Sequence, residues 1–304
     1  MVSCDPSDSF YSRGTMYRKI AVLVVCLTGW FSVGIVGAQA AAPRTEPTAE
    51  PDCGEPAPIK RDGTRWECTF ADEFDAGRLD RSKWTPQVRH GSGTDEARAC
   101  HVDDPRNVAV SDGALRLTVR KVKAPVTCDR EPADYTAGNI TTYDKFSQQY
   151  GRFEARIKSA DADAPGLQEA FWLWPDVRKT PVPLWPLTGE IDIAETYSHK
   201  PNLAIPFLHY LSVDTLITRP GHNTAWDCKA ERGTYNTYTL TWTRKSMTID
   251  VNGKTCLVNR SQNHAFRKPF IAAFSSALGK GRNALTPETP LPATMSVDYF
   301  RVWR

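Results

Sequence analysis

Residues 151–157 read Gly151-Arg152-Phe153-Glu154-Ala155-Arg156-Ile157, and their two-residue alternation of apolar and charged side chains is that of a strand with one face in a core and the other in water. The same period recurs on either side of this stretch. Upstream, Ala114-Leu115-Arg116-Leu117-Thr118-Val119 alternates; downstream, Thr239-Leu240-Thr241-Trp242 leads into Met247-Thr248-Ile249-Asp250-Val251. Asn252-Gly253 supplies the positive-φ pair of a tight hairpin into Lys254-Thr255-Cys256-Leu257-Val258. Met295 to Trp303 forms a last strand, and no stretch of similar length shows a 3.6-residue period. An all-β fold follows, an antiparallel β-sandwich or jelly roll with an apolar core between its sheets.

Within this pattern one strand is unusual. Gly189-Glu190-Ile191-Asp192-Ile193-Ala194-Glu195 interleaves three carboxylates with apolar residues. Alternation puts Glu190 and Asp192 on one face and sends Glu195 to the apolar one; a β-bulge around Ile193-Ala194 would return Glu195 to its fellows, and bulges concentrate beside active sites. Acids crowded on one face resist ionising together, so one is expected to keep a proton near neutral pH. A retaining glycosidase needs that combination of one ionised and one protonated carboxyl. With 35 acids in 304 residues, three at set positions arise by chance roughly 0.5 times per chain. The context therefore carries the reading: an otherwise apolar strand, close after Trp172, Trp174 and Trp185.

The N-terminus reads as an address. Arg18-Lys19 precede an apolar run from Ile20 to about Val36, and Ala38-Gln39-Ala40 offers a small-residue cleavage site. Residues 1–40 are thus expected to be a signal peptide, with Met16 as an alternative start, and the protein to be secreted or otherwise extracytoplasmic, in the cell wall or periplasm. A retained anchor is the other reading, and membrane association is expected only in that case. Cys4 and Cys26 fall in this segment. The remaining six, Cys53, Cys68, Cys100, Cys128, Cys228 and Cys256, allow fifteen disulfide connectivities, of which pairing in sequential order is the simplest. No Cys-x-x-Cys or His-x-x-x-His spacing supports zinc. Residues 41–58, rich in Ala, Pro and Glu, are expected to be a linker, and residues 59–304 the catalytic domain. The net charge of +3 comes without a basic block, which argues against a nucleic-acid partner.

The chain resembles the glycoside hydrolases of family 16, the concanavalin-like jelly rolls that include laminarinases and related β-glucanases. The likeness covers roughly residues 66–304 and is carried by Phe70-Ala71-Asp72-Glu73-Phe74, Asn107-Val108-Ala109-Val110 before Gly113, residues 150–156, Ala170-Phe171-Trp172, the Glu190 to Glu195 stretch, Leu208-His209 and residues 297–302. The resemblance implies Glu190 as nucleophile, Glu195 as acid/base, and Asp192 as the group that tunes the protonation of the nucleophile. It implies Trp172, Trp185, His209 and Asn107 as substrate contacts, since sugar rings stack their C–H faces on aromatics. Family members often bind calcium, for which Glu73 and Asp298 are the nearest candidates; no cofactor is required for the chemistry. The partner implied is a polysaccharide, most simply a β-1,3-glucan cleaved internally by a monomer. Two departures bear on the substrate. Laminarinase-like members read Gly-Leu-Trp-Pro-Ala where this chain has Gly166-Leu167-Gln168-Glu169-Ala170, and the Pro-rich stretch from Pro175 to Pro186 also differs. A galactanase, a transglycosylase or a non-catalytic lectin-like module on the same jelly roll are the competing readings.

Overall fold

A computed structural model describes residues 51–179, 184–211 and 221–304, all within one unit, Ala49–Arg304. The expected signal peptide (1–40), linker residues 41–50 and the middle of the Pro-rich stretch lie outside the described residues.

Among these residues the strands are β1 (Cys68–Asp72), β2 (Thr85–Pro86), β3 (Gly91–Gly93), β4 (Arg98–His101), β5 (Val108–Ser111), β6 (Ala114–Cys128), β7 (Glu131–Ala137), β8 (Asn139–Thr141), β9 (Gly151–Lys158), β10 (Leu167–Pro175), β11 (Glu190–Tyr197), β12 (Ala204–His209), β13 (Asn236–Trp242), β14 (Met247–Val251), β15 (Lys254–Asn259), β16 (Phe270–Leu278) and β17 (Ala293–Trp303). They make two sheets. The larger runs β15-β14-β13-β9-β17-β6-β7-β4-β3, with β1 added on β17 and β5 on β6; the smaller runs β12-β11-β10-β16-β8-β2. Pairing is antiparallel as expected, except that β4 lies parallel to β7.

The alternation read from the sequence sorts the two faces of each sheet. Phe153, Ala155 and Ile157 of β9 and Val297, Phe300 and Val302 of β17 point inward from the larger sheet; Phe171, Leu173, Ile191, Ile193, Ala272 and Phe274 meet them from the smaller one in a single core cluster. Phe171 stacks on Phe274 at 4.9 Å, and both rings pack against Phe300 at 5.6 and 5.5 Å, which joins the layers at the middle. Trp84 is 1% exposed in the same cluster and donates its indole N–H to Asp72 Oδ2 at 2.7 Å, which satisfies the one polar atom the ring carries inside.

Three disulfides join Cys53 to Cys68, Cys100 to Cys128 and Cys228 to Cys256, the sequential order. The first corrects the boundary expected at residue 59. Cys53 is 5% exposed and packs with Ala71 and Trp303, so the fold already includes the end of the Pro/Ala-rich stretch. Composition suggested an exposed linker there, but one buried, cross-linked side chain is enough to tie such a segment to the core.

Candidate active site

The smaller sheet places the three acids. Gly189, immediately before β11, has φ +78°, and a Cβ there would meet Ala265 O at 2.8 Å, so only glycine brings the chain into the strand along this path. In β11, Asp192 pairs with Phe207 and Glu195 with Ile205, three residues against two, while on the other side Asp192 and Ala194 face the adjacent residues Trp172 and Phe171. Residue 193 is the extra one. This bulge leaves Ile191, Ile193 and Ala194 buried in the core and turns Glu195 to the outer face with Glu190 and Asp192.

Each acid has its own polar partner. Trp185 Nε1 donates to Glu190 Oε2 at 2.8 Å; His209 Nε2 lies 3.1 Å from Asp192 Oδ2; Gln168 Nε2 donates to Glu195 Oε1 at 2.6 Å. His209 stands directly across from Glu190 in β12, and Trp172 across from Asp192 in β10. The Trp172 indole donates to Ser275 Oγ at 3.2 Å. Trp185, 51% exposed, holds its ring 5.3 Å from that of His209, which in turn stacks on Phe207 at 5.8 Å.

Burial pushes all three carboxyls upward, and repulsion between neighbours adds to the rise of Glu190 and Asp192. Glu190 rises to about 8, first because it is desolvated and then because Asp192 lies beside it; His209 and the Trp185 N–H oppose the shift. Asp192 is raised well above the ordinary carboxylate range by burial and then by Glu195. Glu195 is raised by burial, against which hydrogen bonds from Tyr197 and Gln168 favour its ionised form. The cluster therefore retains protons at neutral pH, and the partners decide which carboxyl gives its proton up.

Of the residues singled out in the sequence, the structure brings Glu190, Asp192, Glu195, Trp172, Trp185 and His209 together on one face. Asn107 is placed differently. It is 2% exposed and donates Nδ2 to the Thr118 carbonyl at 2.7 Å, holding the start of β5 rather than presenting an amide beside the acids. Glu73 and Asp298 do not fit a calcium site: both oxygens of Glu73 are taken by Arg301 at 2.7 Å, and Asp298 Oδ2 by Arg156 at 2.7 Å, so a cation would face two guanidiniums. Among the described residues the clustered donor atoms of a possible metal set belong instead to Glu190, Asp192 and His209. Tyr197 and Phe207 were not singled out in the sequence. Both could have been, since each lies two residues along its strand from a site residue and so shares its face.

The Trp185 contact has a measurable consequence. Trp185→Phe keeps a ring but loses the donor to Glu190, and kcat/KM is expected to fall roughly 10- to 100-fold, the range for a hydrogen bond to a charged group. The acidic limb of its pH profile should move upward; a limb that stays in place would show that the indole acts only as a stacking surface.

The chain is similar to known proteins over most of its length. The model of the glycosyl hydrolases of family 16 matches residues 96–288. The chain is 25% identical over 288 residues to glucan endo-1,3-beta-glucosidase A1 of Niallia circulans, covering 86% of this chain and 41% of that protein. It is 30% identical over 249 residues to the keratan-sulfate endo-1,4-beta-galactosidase of Sphingobacterium multivorum, covering 79% and 56%. The chain thus spans about half the length of these two relatives. The X-ray structure of the laminarinase from Rhodothermus marinus superposes with a TM-score of 0.66 at 25% identity, covering 79% of this chain and 98% of that one.

Proposed function

The chain belongs to the glycosyl hydrolases of family 16, and from that premise we propose that it is an endo-acting, retaining β-glycanase that cleaves a β-1,3-glucan by double displacement. The observation that carries this reading is the bulge at Ile193, which sets Glu190, Asp192 and Glu195 on one face with a separate donor or imidazole on each.

In the first step ionised Glu190 attacks the anomeric carbon while Glu195 gives its proton to the glycosidic oxygen, so that the C–O bond to the leaving sugar breaks as an ester to Glu190 forms. In the second, Glu195, now a carboxylate, takes a proton from water, whose oxygen displaces Glu190 from the anomeric carbon. Asp192 links the steps to the proton inventory. Its charge is the largest electrostatic obstacle to ionising Glu190, so a proton resting on Asp192 frees Glu190 to act as the nucleophile. Trp185, His209 and Trp172 offer flat surfaces beside the reacting centre for the C–H faces of the sugars.

Two features favour a galactan as the second reading: a polar Gln168 where laminarinase-like sequences have tryptophan, and the 30% identity to a galactosidase of keratan sulfate. The three disulfides and the apolar run at residues 20–36 support export. A reducing-sugar assay across laminarin, lichenan, agarose and arabinogalactan tests the assignment. Laminarin oligosaccharides released with the β configuration are expected; no release from any of the four would overturn it, and cleavage of agarose or arabinogalactan alone would select the galactan reading.

A further inference from the structure

The reaction scheme asks only for a carboxylic acid at Glu195, yet the amide of Gln168 lies 2.6 Å from Glu195 Oε1. The side chain stands on the outer face of β10, across from Tyr197 of β11. The strands are joined again directly beneath it. Glu169 and Thr196 are cross-strand partners facing inward, and Thr196 Oγ1 donates to Glu169 Oε2 at 3.0 Å. Arg232 closes on the same carboxylate with two hydrogen bonds of 2.8 Å and gives its Nε to the Ala160 carbonyl at 2.9 Å. The segments bearing Gln168 and Glu195 are therefore fixed to each other from the core side, within reach of the amide–carboxylate hydrogen bond.

We infer that Gln168 is a positioning residue for the reaction: its amide orients the carboxyl of Glu195 and favours the ionised form that must accept a proton from water in the second step. The inference rests on Glu195 being the acid/base. The charged and polar groups that interact with Glu195 are Glu190, Asp192 and Tyr197 from its own strand, Gln168 from β10 and His209 from β12. Burial favours the protonated acid, while Tyr197, His209 and Gln168 oppose it. Gln168 is the one neutral, non-titrating donor in that set, so it acts identically at every pH.

Gln168→Met preserves length and removes the amide; Gln168→Leu is the second variant should the first fold poorly, with thermal melts checking both. The experiment reads the pH profile of kcat/KM and KM on the substrate found for the wild type, together with a ¹³C-carboxyl NMR titration of Glu195, assigned through Glu195→Gln, which needs no turnover. The basic limb and the Glu195 titration are expected to move upward by about one pH unit, kcat to fall about 10-fold, and the acidic limb and KM to stay nearly constant. An unmoved titration in a folded variant overturns the inference, as does a rise in KM with both limbs unchanged, the signature of a substrate contact. A wild type that cleaves no glycan overturns the hydrolase reading itself, an outcome distinguishable from both.

Discussion

Glu190→Gln is expected to lower kcat by roughly 10⁴-fold or more while leaving the fold intact, because the amide cannot form the glycosyl ester on which double displacement depends. Azide separates its role from that of Glu195. With an activated aryl glycoside, Glu190→Ala should yield the glycosyl azide of inverted configuration, since azide enters from the vacated face. Glu195→Ala should yield the retained one, since azide there attacks the glycosyl-enzyme. Identical configurations from the two variants, or full activity in Glu190→Gln, would remove the assignment.

The same variant carries a stability signature. The Glu190 carboxyl is raised from 4.5 to about 8, so the folded protein holds a proton that the unfolded chain has already released. Stability from this site is complete below about pH 4.5 and is lost as pH rises through 8. Gln carries no such proton. Glu190→Gln is therefore expected to be more stable than the wild type by roughly 2–4 kcal/mol near pH 8, with the difference vanishing near pH 4. Melting temperatures of both proteins measured across that range would show it, and parallel curves would refute the raised carboxyl.

The second large effect lies beneath the site. Arg232→Met is expected to destabilise the protein by about 3–5 kcal/mol, because it leaves Glu169, 2% exposed, as a buried charge without its cation. For a domain of this size that corresponds to roughly a 10 °C fall in Tm. Replacing both partners, Glu169→Leu with Arg232→Met, removes the uncompensated charge and should restore most of the loss. A double variant no more stable than the single would mean that the network does more than satisfy its own charges. The pair also joins β10 to β11 under Gln168 and Glu195, so Arg232→Met should lose kcat at temperatures where it remains folded.

Strand alternation in residues 151–157 and 295–303, the Asn252-Gly253 turn and the ordered matches around them were enough to read a two-sheet sandwich, because burial of one face imposes a period of two on any sequence that forms it. The Glu190 to Glu195 stretch was legible for the same reason, together with the need for a bulge, since strict alternation would have buried Glu195. Sequential disulfides followed from the simplest of fifteen choices rather than from any physical constraint in the sequence. Composition sets the boundary near residue 59 because it reports average exposure and cannot reveal that one side chain, Cys53, is anchored from outside its neighbourhood.

What the tertiary structure alone decided is partnership. Trp185 meets Glu190, His209 meets Asp192, Gln168 meets Glu195 and Arg232 meets Glu169 across separations of 5, 17, 27 and 63 residues. Sequence spacing carries no information about such meetings beyond a few residues, because they depend on strand register and on a single inserted residue. The chain by itself determined which side chains could do the chemistry and which face each would take. Register and the bulge at Ile193 decided which of them touch, and with that where the protons rest: hydrogen bonds and charge repulsion act over a few ångströms in space, whatever the distance along the chain.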